Sequence, residues 1–185
     1  MGRPLSPPLV AALAESQRLG MLGDRPVEQV VEHAAAFVDA LAGVEGTVVD
    51  LGSGGGVPGL VIADARPDLH VVLVDRRVSR TDHLRRLVGR LGFAGRVEVR
   101  RLDAAALPPA IADAVVARGF GPPPATLRAA TPLLRPCGLV VVSEPPPDEQ
   151  DDARWPPALL AELDLVAVEH DDRRVVIFRR VDQSP

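Results

Sequence analysis

The chain has no lysine, no tyrosine and no asparagine, and its only cysteine is Cys137. Each absence removes a class of chemistry. All 21 basic residues are arginine, so lysine Schiff bases and a P-loop lysine are excluded. So is tyrosine acid–base catalysis, and with it the Tyr–Lys pair used by many dehydrogenases. A single thiol rules out an internal disulfide and any site that needs two thiolates. No apolar run approaches the roughly 18 residues needed to span a bilayer. The N-terminal stretch MGRPLSPPLVAALAES is too briefly apolar for a signal peptide. These features predict a cytoplasmic protein without a membrane partner. The four histidines (His33, His70, His83, His170) are scattered without ligand spacing, so no metal is expected.

What is present is an ordinary globular balance. The 185 residues are 46% hydrophobic and 25% charged, enough for one domain with a real core. The net charge of −4 hides an asymmetry. Nine arginines fall between Arg76 and Arg101 against Asp82 and Glu98, and ten acids fall between Glu144 and Asp172 against Arg154. A concentrated basic segment keeps a nucleic-acid partner open despite an acidic whole. A solvated arginine-rich helix beside a solvated acidic loop explains the same pattern.

Pro8 to Gly20 reads as a short helix. Val27 to Leu41 reads as an amphipathic one, because Val30, Val31, Ala34, Phe37, Val38 and Leu41 recur at three- and four-residue spacing. Together they predict a helical cap over 1–45 on a compact unit over 46–185. Short apolar runs follow at Thr47–Leu51, Val71–Val74, Val97–Val99, Ala114–Ala117 and Leu139–Val142. Helical stretches separate them from Pro58, over Thr81–Leu91 and over Ala125–Leu134. Strands alternating with helices predict an α/β fold with a mostly parallel sheet buried on both faces. Leu165–Glu169 and Arg174–Arg179 are too close for a crossover helix, which predicts a C-terminal antiparallel hairpin. The SEPPPDEQDDARWPP stretch reads as a surface loop anchored by Trp155.

The chemistry concentrates in VVDLGSGGGVPGL, Val48 to Leu60. A strand runs out, an acid stands at its end, and then five glycines fall within the eight residues Gly52 to Gly59. Such glycines let the backbone turn tightly and approach a ligand. Pro58 suits a first helical position, where its missing N–H costs nothing. Two templates fit. Gly54, Gly56 and Gly59 satisfy the dinucleotide pattern G-x-G-x-x-G. Asp50 with Gly52, Gly54 and Gly56 satisfies D-x-G-x-G-x-G, the first motif of class I S-adenosylmethionine (SAM) methyltransferases. An acid at the strand end suits a ligand carrying an ammonium group and sits awkwardly beside a pyrophosphate, which favours SAM. Asp75, at the end of the second strand, stands where an acid accepts hydrogen bonds from ribose hydroxyls; capping the next helix is its bland alternative. Asp103, after the third strand, is placed either to contact adenine or to cap a turn.

The block VVDLGSGGGVPGLVIADARPDLHVVLVD resembles the RsmG (GidB, glucose-inhibited division protein B) type of 16S rRNA guanine-N7 methyltransferase. RLGMLGDRPVEQVVEHAAAFVDAL, ARGF at Ala117–Phe120 and LLRPCGLVVV extend the resemblance over about Leu19 to Ser143. It implies a Rossmann-like class I SAM methyltransferase fold, SAM as cofactor, and RNA or the small ribosomal subunit as partner. It places cofactor contacts on Gly52, Val57, Leu102, Asp103 and Arg118, with Arg118 as the catalytic candidate. The basic residues Arg76, Arg77, Arg80, Arg85, Arg86 and Arg90 would then contact phosphates. Guanine N7 carries a lone pair and no proton, so no general base is required. Where the family has a Lys-Arg pair this chain has Ser79 and Arg80. Where it has an aromatic stands His83, expected to stack or to be solvated on the arginine-rich helix. Where it has Lys-Gly after the fifth strand stand Ser143 and Glu144, a reversed charge. His33 is expected to pack in the core or a cap, and Phe120 to stack or to pack. Cys137 is assigned no role. A small-molecule methyltransferase, a SAM-binding protein without catalysis and an NAD-dependent oxidoreductase remain the alternatives.

Overall fold

Strand alternation decides which face each residue joins. Val48, Val71, Leu73, Val116, Val141 and Ile177 point to one face, and Val49, Val72, Val74, Val115, Val140 and Phe178 point to the other. Both sets are fully or nearly fully buried, which explains why the strands read as continuous apolar runs rather than half-polar ones. The computed structural model describes residues 5–146, 154–168 and 174–181.

Seven strands form one sheet in the order β3-β2-β1-β4-β5-β7-β6. They are β1 (Thr47–Leu51), β2 (His70–Asp75), β3 (Val97–Arg101), β4 (Ala112–Ala117), β5 (Leu134–Ser143), β6 (Leu165–Val168) and β7 (Val175–Arg180). β1 to β5 pair in parallel, whereas β7 is antiparallel to both β5 and β6. The expected hairpin is therefore present, and β7 lies inside it, between β5 and the edge strand. The residues joining its strands, with His170 and most of the acidic run, lie outside the described residues.

The helices α3 (Gly59–Ala65) and α4 (Val78–Arg90) pack on one face with α1 (Pro7–Arg18) and α2 (Val27–Ala40). The other face is covered by α5 (Pro123–Ala130), by a short turn at Ala104–Ala106, and by α6 (Pro157–Glu162). Chain order runs outward from β1 in one direction and from β4 in the other. The point between them is the switch point where α/β sheets bind ligands, at the carboxyl ends of the strands.

Side chains tie the N-terminal helices to this sheet. Ser6, the N-cap of α1, donates to Asp64 of α3 through its amide (2.9 Å) and its hydroxyl (2.6 Å). Arg66 donates to the carbonyls of Leu41 (2.8 Å) and Val44 (2.7 Å), satisfying the end of α2 that lacks a glycine cap. Ser16 Oγ and His83 Nε2 share a 2.8 Å hydrogen bond between α1 and α4. His83 is fully buried, which corrects the expectation of a stacking or solvated histidine. Burial holds its pKa below the usual histidine value.

One further expectation changes. Pro58 is the N-cap of α3 and not its first residue. The loop read across residues 143–157 runs up to α6, which Pro157 opens, and its residues 147–153 lie outside the described residues. Trp155 does anchor the segment before α6: its Nε1 donates to Glu144 (2.7 Å) and its ring meets Phe178 edge-on at 5.0 Å.

Candidate functional site

The loop after β1 is held by its own backbone. The amides of Gly52 and Ser53 donate to the carbonyl of Val74 (2.9 and 3.0 Å), so the chain folds back across the end of β2. The Ser53 hydroxyl donates to the Asp50 carbonyl (2.9 Å) and accepts from the Val74 amide (2.9 Å). The tightest approach is at Gly59. A Cβ there would lie 2.2 Å from Leu73 Cδ2 and 2.5 Å from Asp50 Oδ2, so only glycine fits. Gly56, at φ +100°, would place a Cβ 2.5 Å from Leu60. Gly54, at φ +52°, has ordinary room, and its conformation rather than its space favours glycine.

Asp50 is buried beneath this loop. Its Oδ2 accepts from the Gly59 amide (3.1 Å), while Oδ1 is buried with no hydrogen-bond partner. Burial pushes the carboxyl pKa up to about 7, offset in part by the Ser53 and Gly59 bonds and by Arg118. Asp75 accepts from the amides of Gly54 (3.1 Å) and Arg77 (2.8 Å) and takes Arg80 Nη1 at 3.4 Å. The N-cap of α4 is Arg77, not Asp75. Asp103 caps the turn that follows it, accepting from the Ala105 amide (3.1 Å).

Two cavities open at the switch point. The larger, about 340 Å³, brings together Gly52, Asp75, Leu102 and Asp103 from three chain segments, with Phe120 of a fourth on its rim. Arg76, Arg77 and Arg80 also line it. The smaller, about 240 Å³, holds Arg118, Ser143 and Glu144 beside Arg25, Gln29 and His33 of the cap. Gly119 lines both. Val57 lines neither; its side chain is in the core. The six arginines grouped in the sequence are thus divided. Three face the larger cavity, while Arg85, Arg86 and Arg90 stand on the outer side of α4, with Arg85 paired to Asp82 and Arg90 to Glu15.

The smaller cavity departs most from the sequence reading. His33 lines it, half-buried, with its ring 6.1 Å from that of Phe37, so of the two packings expected it takes the one among the N-terminal helices and not the core. Arg25 and Gln29 were not singled out; the DRP turn just ahead of α2 was the available signal. Arg118 is held by burial with one Nη1 lacking a partner, and its pKa is lowered by that burial and by Arg25, against the pull of Asp50. Glu144 does not reverse the charge of an open surface. It bonds Trp155 and lies 3.5 Å from Arg154, and burial raises its pKa. Among the described residues no group of His, Cys, Asp and Glu could hold a metal ion, and no helix is long and apolar enough to cross a membrane.

A glycine cradle at the switch point, acids ending β1 and β2, and a reversed β7 define a Rossmann-like methyltransferase fold. A SAM-dependent methyltransferase of Aquifex aeolicus superposes with a TM-score of 0.65 at 16% identity, over 91% of this chain and 98% of that one. The family model for rRNA small subunit methyltransferase G (GidB) matches residues 12–153, and this chain belongs to that family. It is 33% identical over 156 residues to the ribosomal RNA small subunit methyltransferase G of Mycolicibacterium gilvum, covering 79% of this chain and 67% of the relative. The Acidothermus cellulolyticus relative of the same description is 37% identical over 126 residues, 66% of this chain and 55% of the relative. Against several such relatives the chain spans about half their length.

Proposed function

We propose that this chain is a SAM-dependent methyltransferase acting on RNA of the small ribosomal subunit, with a guanine N7 as acceptor. The observation that carries the cofactor reading is Asp50, a buried carboxyl with one oxygen paired to the glycine loop and the other unpaired. An unpaired buried acceptor costs free energy until a donor reaches it. An ammonium group satisfies it, whereas a pyrophosphate would be repelled. The residues present therefore fit SAM. Asp50, Gly54 and Gly56 would hold its amino-acid end, together with the backbone at Val57. Gly52, Asp75, Leu102 and Asp103 would hold the nucleoside.

When bound, SAM supplies a methyl group on a sulfonium; the S–CH3 bond breaks as the N–CH3 bond forms, leaving S-adenosylhomocysteine and a cationic purine with no proton to remove. The chain's work is alignment, which by itself can supply several kcal/mol. Arg118 stands in the second cavity, beside the Gly119 that joins the two. Its charge and that of Arg25 favour an electron-rich acceptor edge there. Arg76, Arg77, Arg80, Arg85, Arg86 and Arg90 supply phosphate contacts, so affinity for RNA falls steeply with salt. Action on ribosomal RNA places the protein in the cytoplasm.

The test is to incubate the protein with methyl-labelled SAM and, separately, small ribosomal subunits, naked small-subunit rRNA and a small-molecule panel. Label enters rRNA, and Arg118→Ala loses most of it. Label entering only a small molecule overturns the RNA reading, and no label in any acceptor despite SAM binding overturns the enzymatic one.

A further inference from the structure

Both acids at the mouth of the larger cavity carry an arginine. Arg80 Nη1 lies 3.4 Å from Asp75 Oδ2, and Arg76 Nη1 lies 3.9 Å from Asp103 Oδ2. The two acids are those assigned above to the nucleoside, so a ligand that uses them must meet these pairs first. At Asp75 the existing donors are unequal. Gly54 and Arg77 donate through backbone amides fixed by the loop and by the start of α4. Arg80 donates through a flexible side chain, at the longest distance of the three. A ribose hydroxyl arriving at Asp75 therefore has one donor it can readily displace. The Asp75 side chain is 4% exposed and that of Arg80 29%, so the displaced guanidinium moves toward solvent. Arg76 and Asp103 are 79% and 62% exposed, so their pair is weak and easily exchanged.

We propose that nucleoside binding and RNA docking are coupled by these two pairs: donors on the nucleoside take Asp75 and Asp103, releasing Arg80 and Arg76 to bind backbone phosphates across the cavity mouth. The proposal rests on the cofactor reading above. The partner is a phosphodiester strand because the freed groups are two guanidiniums beside Arg77 on one rim, a cluster of positive charge that a polyanion meets. Coupling is reciprocal, so RNA tightens nucleoside binding by the same factor. Arg85 and Arg90 have partners away from the cavity, Asp82 and Glu15. Outer-face arginines therefore contribute to RNA affinity regardless of the nucleoside.

The experiment measures anisotropy of a fluorescein-labelled, single-stranded RNA oligomer of mixed sequence across a salt series, with and without saturating S-adenosylhomocysteine. The slope of log K against log salt steepens with the nucleoside by roughly 0.7 for each phosphate gained. Arg80→Ala loses most of that gain, Arg76→Ala loses part, and both bind S-adenosylhomocysteine in calorimetry no more weakly than the wild type. Arg86→Ala lowers both slopes alike and keeps the gain. Identical slopes with and without nucleoside overturn the coupling, as does weaker nucleoside binding by Arg80→Ala, which would make Arg80 a ligand instead of a competitor. Failure of the wild type to bind S-adenosylhomocysteine removes the cofactor reading and the coupling together; binding with unchanged slopes removes the coupling alone.

Discussion

The loops leaving β1 and β4 line one crevice and are built in opposite ways. In the first, the Ser53 hydroxyl joins two strand ends, and the space a side chain would need at Gly56 and Gly59 is filled by neighbouring atoms. In the second, Arg118 has an unpaired buried nitrogen, a Cβ on Gly119 would meet nothing within 4 Å, and Phe120 is partly exposed. The backbone of the first loop is shaped by folding alone, and a ligand would enter a cradle already made, with the Asp50 Oδ1 beneath it left to satisfy. The second is completed by whatever binds.

The largest expected effect concerns the acid beneath the first loop. In the folded protein Asp50 keeps its proton up to about pH 7, whereas an unfolded chain releases it near the ordinary aspartate value of 3.8. The folded state then binds more protons between these values, so this contribution to stability is full at low pH and is lost as pH rises through 7. The loss amounts to as much as about 4 kcal/mol. Urea unfolding of wild type and Asp50→Asn from pH 4 to 8 checks this, since the difference between them isolates the residue. A difference that does not change with pH would show Asp50 ionised throughout.

A sharper form of the comparison is a pair of equal substitutions. Gly59→Ala forces a Cβ into Leu73 and Asp50 and costs about 3 kcal/mol, with loss of S-adenosylhomocysteine binding. Gly119→Ala has open space and pays only for its positive φ of 62°, about 1 kcal/mol. Equal losses in denaturant melts would erase the distinction between the two loops.

Much of the first loop was legible because its constraints are local. Acid, glycines and helix start fall within Val48 to Leu60, and a short apolar run gave β1 its observed bounds. The second cavity was not, because Arg25, Gln29 and His33 meet Arg118 and Ser143 only through the fold. His83 was misread for a related reason: its place four residues before Leu87 puts it on the buried face of α4, but its partner Ser16 is 67 residues away. α6 was hidden by its prolines, which read as breakers although Pro157 is a first-turn residue. Arg76, Arg77 and Arg80 formed one group with Arg85, Arg86 and Arg90 in sequence. The turn from β2 into α4 aims the first three at the crevice, and helical periodicity sends the others outward.

The smallest effects fall on the supports of each side. Trp155→Phe removes the donor to Glu144 and lowers stability by about 1 kcal/mol. Ser16→Ala removes the bond to His83 at a similar cost of about 1 kcal/mol. In hydrogen exchange the first change loosens the β5 end and the second loosens α1 against α4. The reverse pattern would show that the two supports are not local to their cavities.

The most direct measurement is calorimetric titration with S-adenosylhomocysteine of the wild type and of Asp75→Ala. Saturable one-to-one binding, weakened about tenfold or more in the variant, a loss of about 1.4 kcal/mol, is the predicted result. Unaltered affinity in Asp75→Ala, or binding of NAD where S-adenosylhomocysteine gives no heat, would contradict the assignment of this cavity.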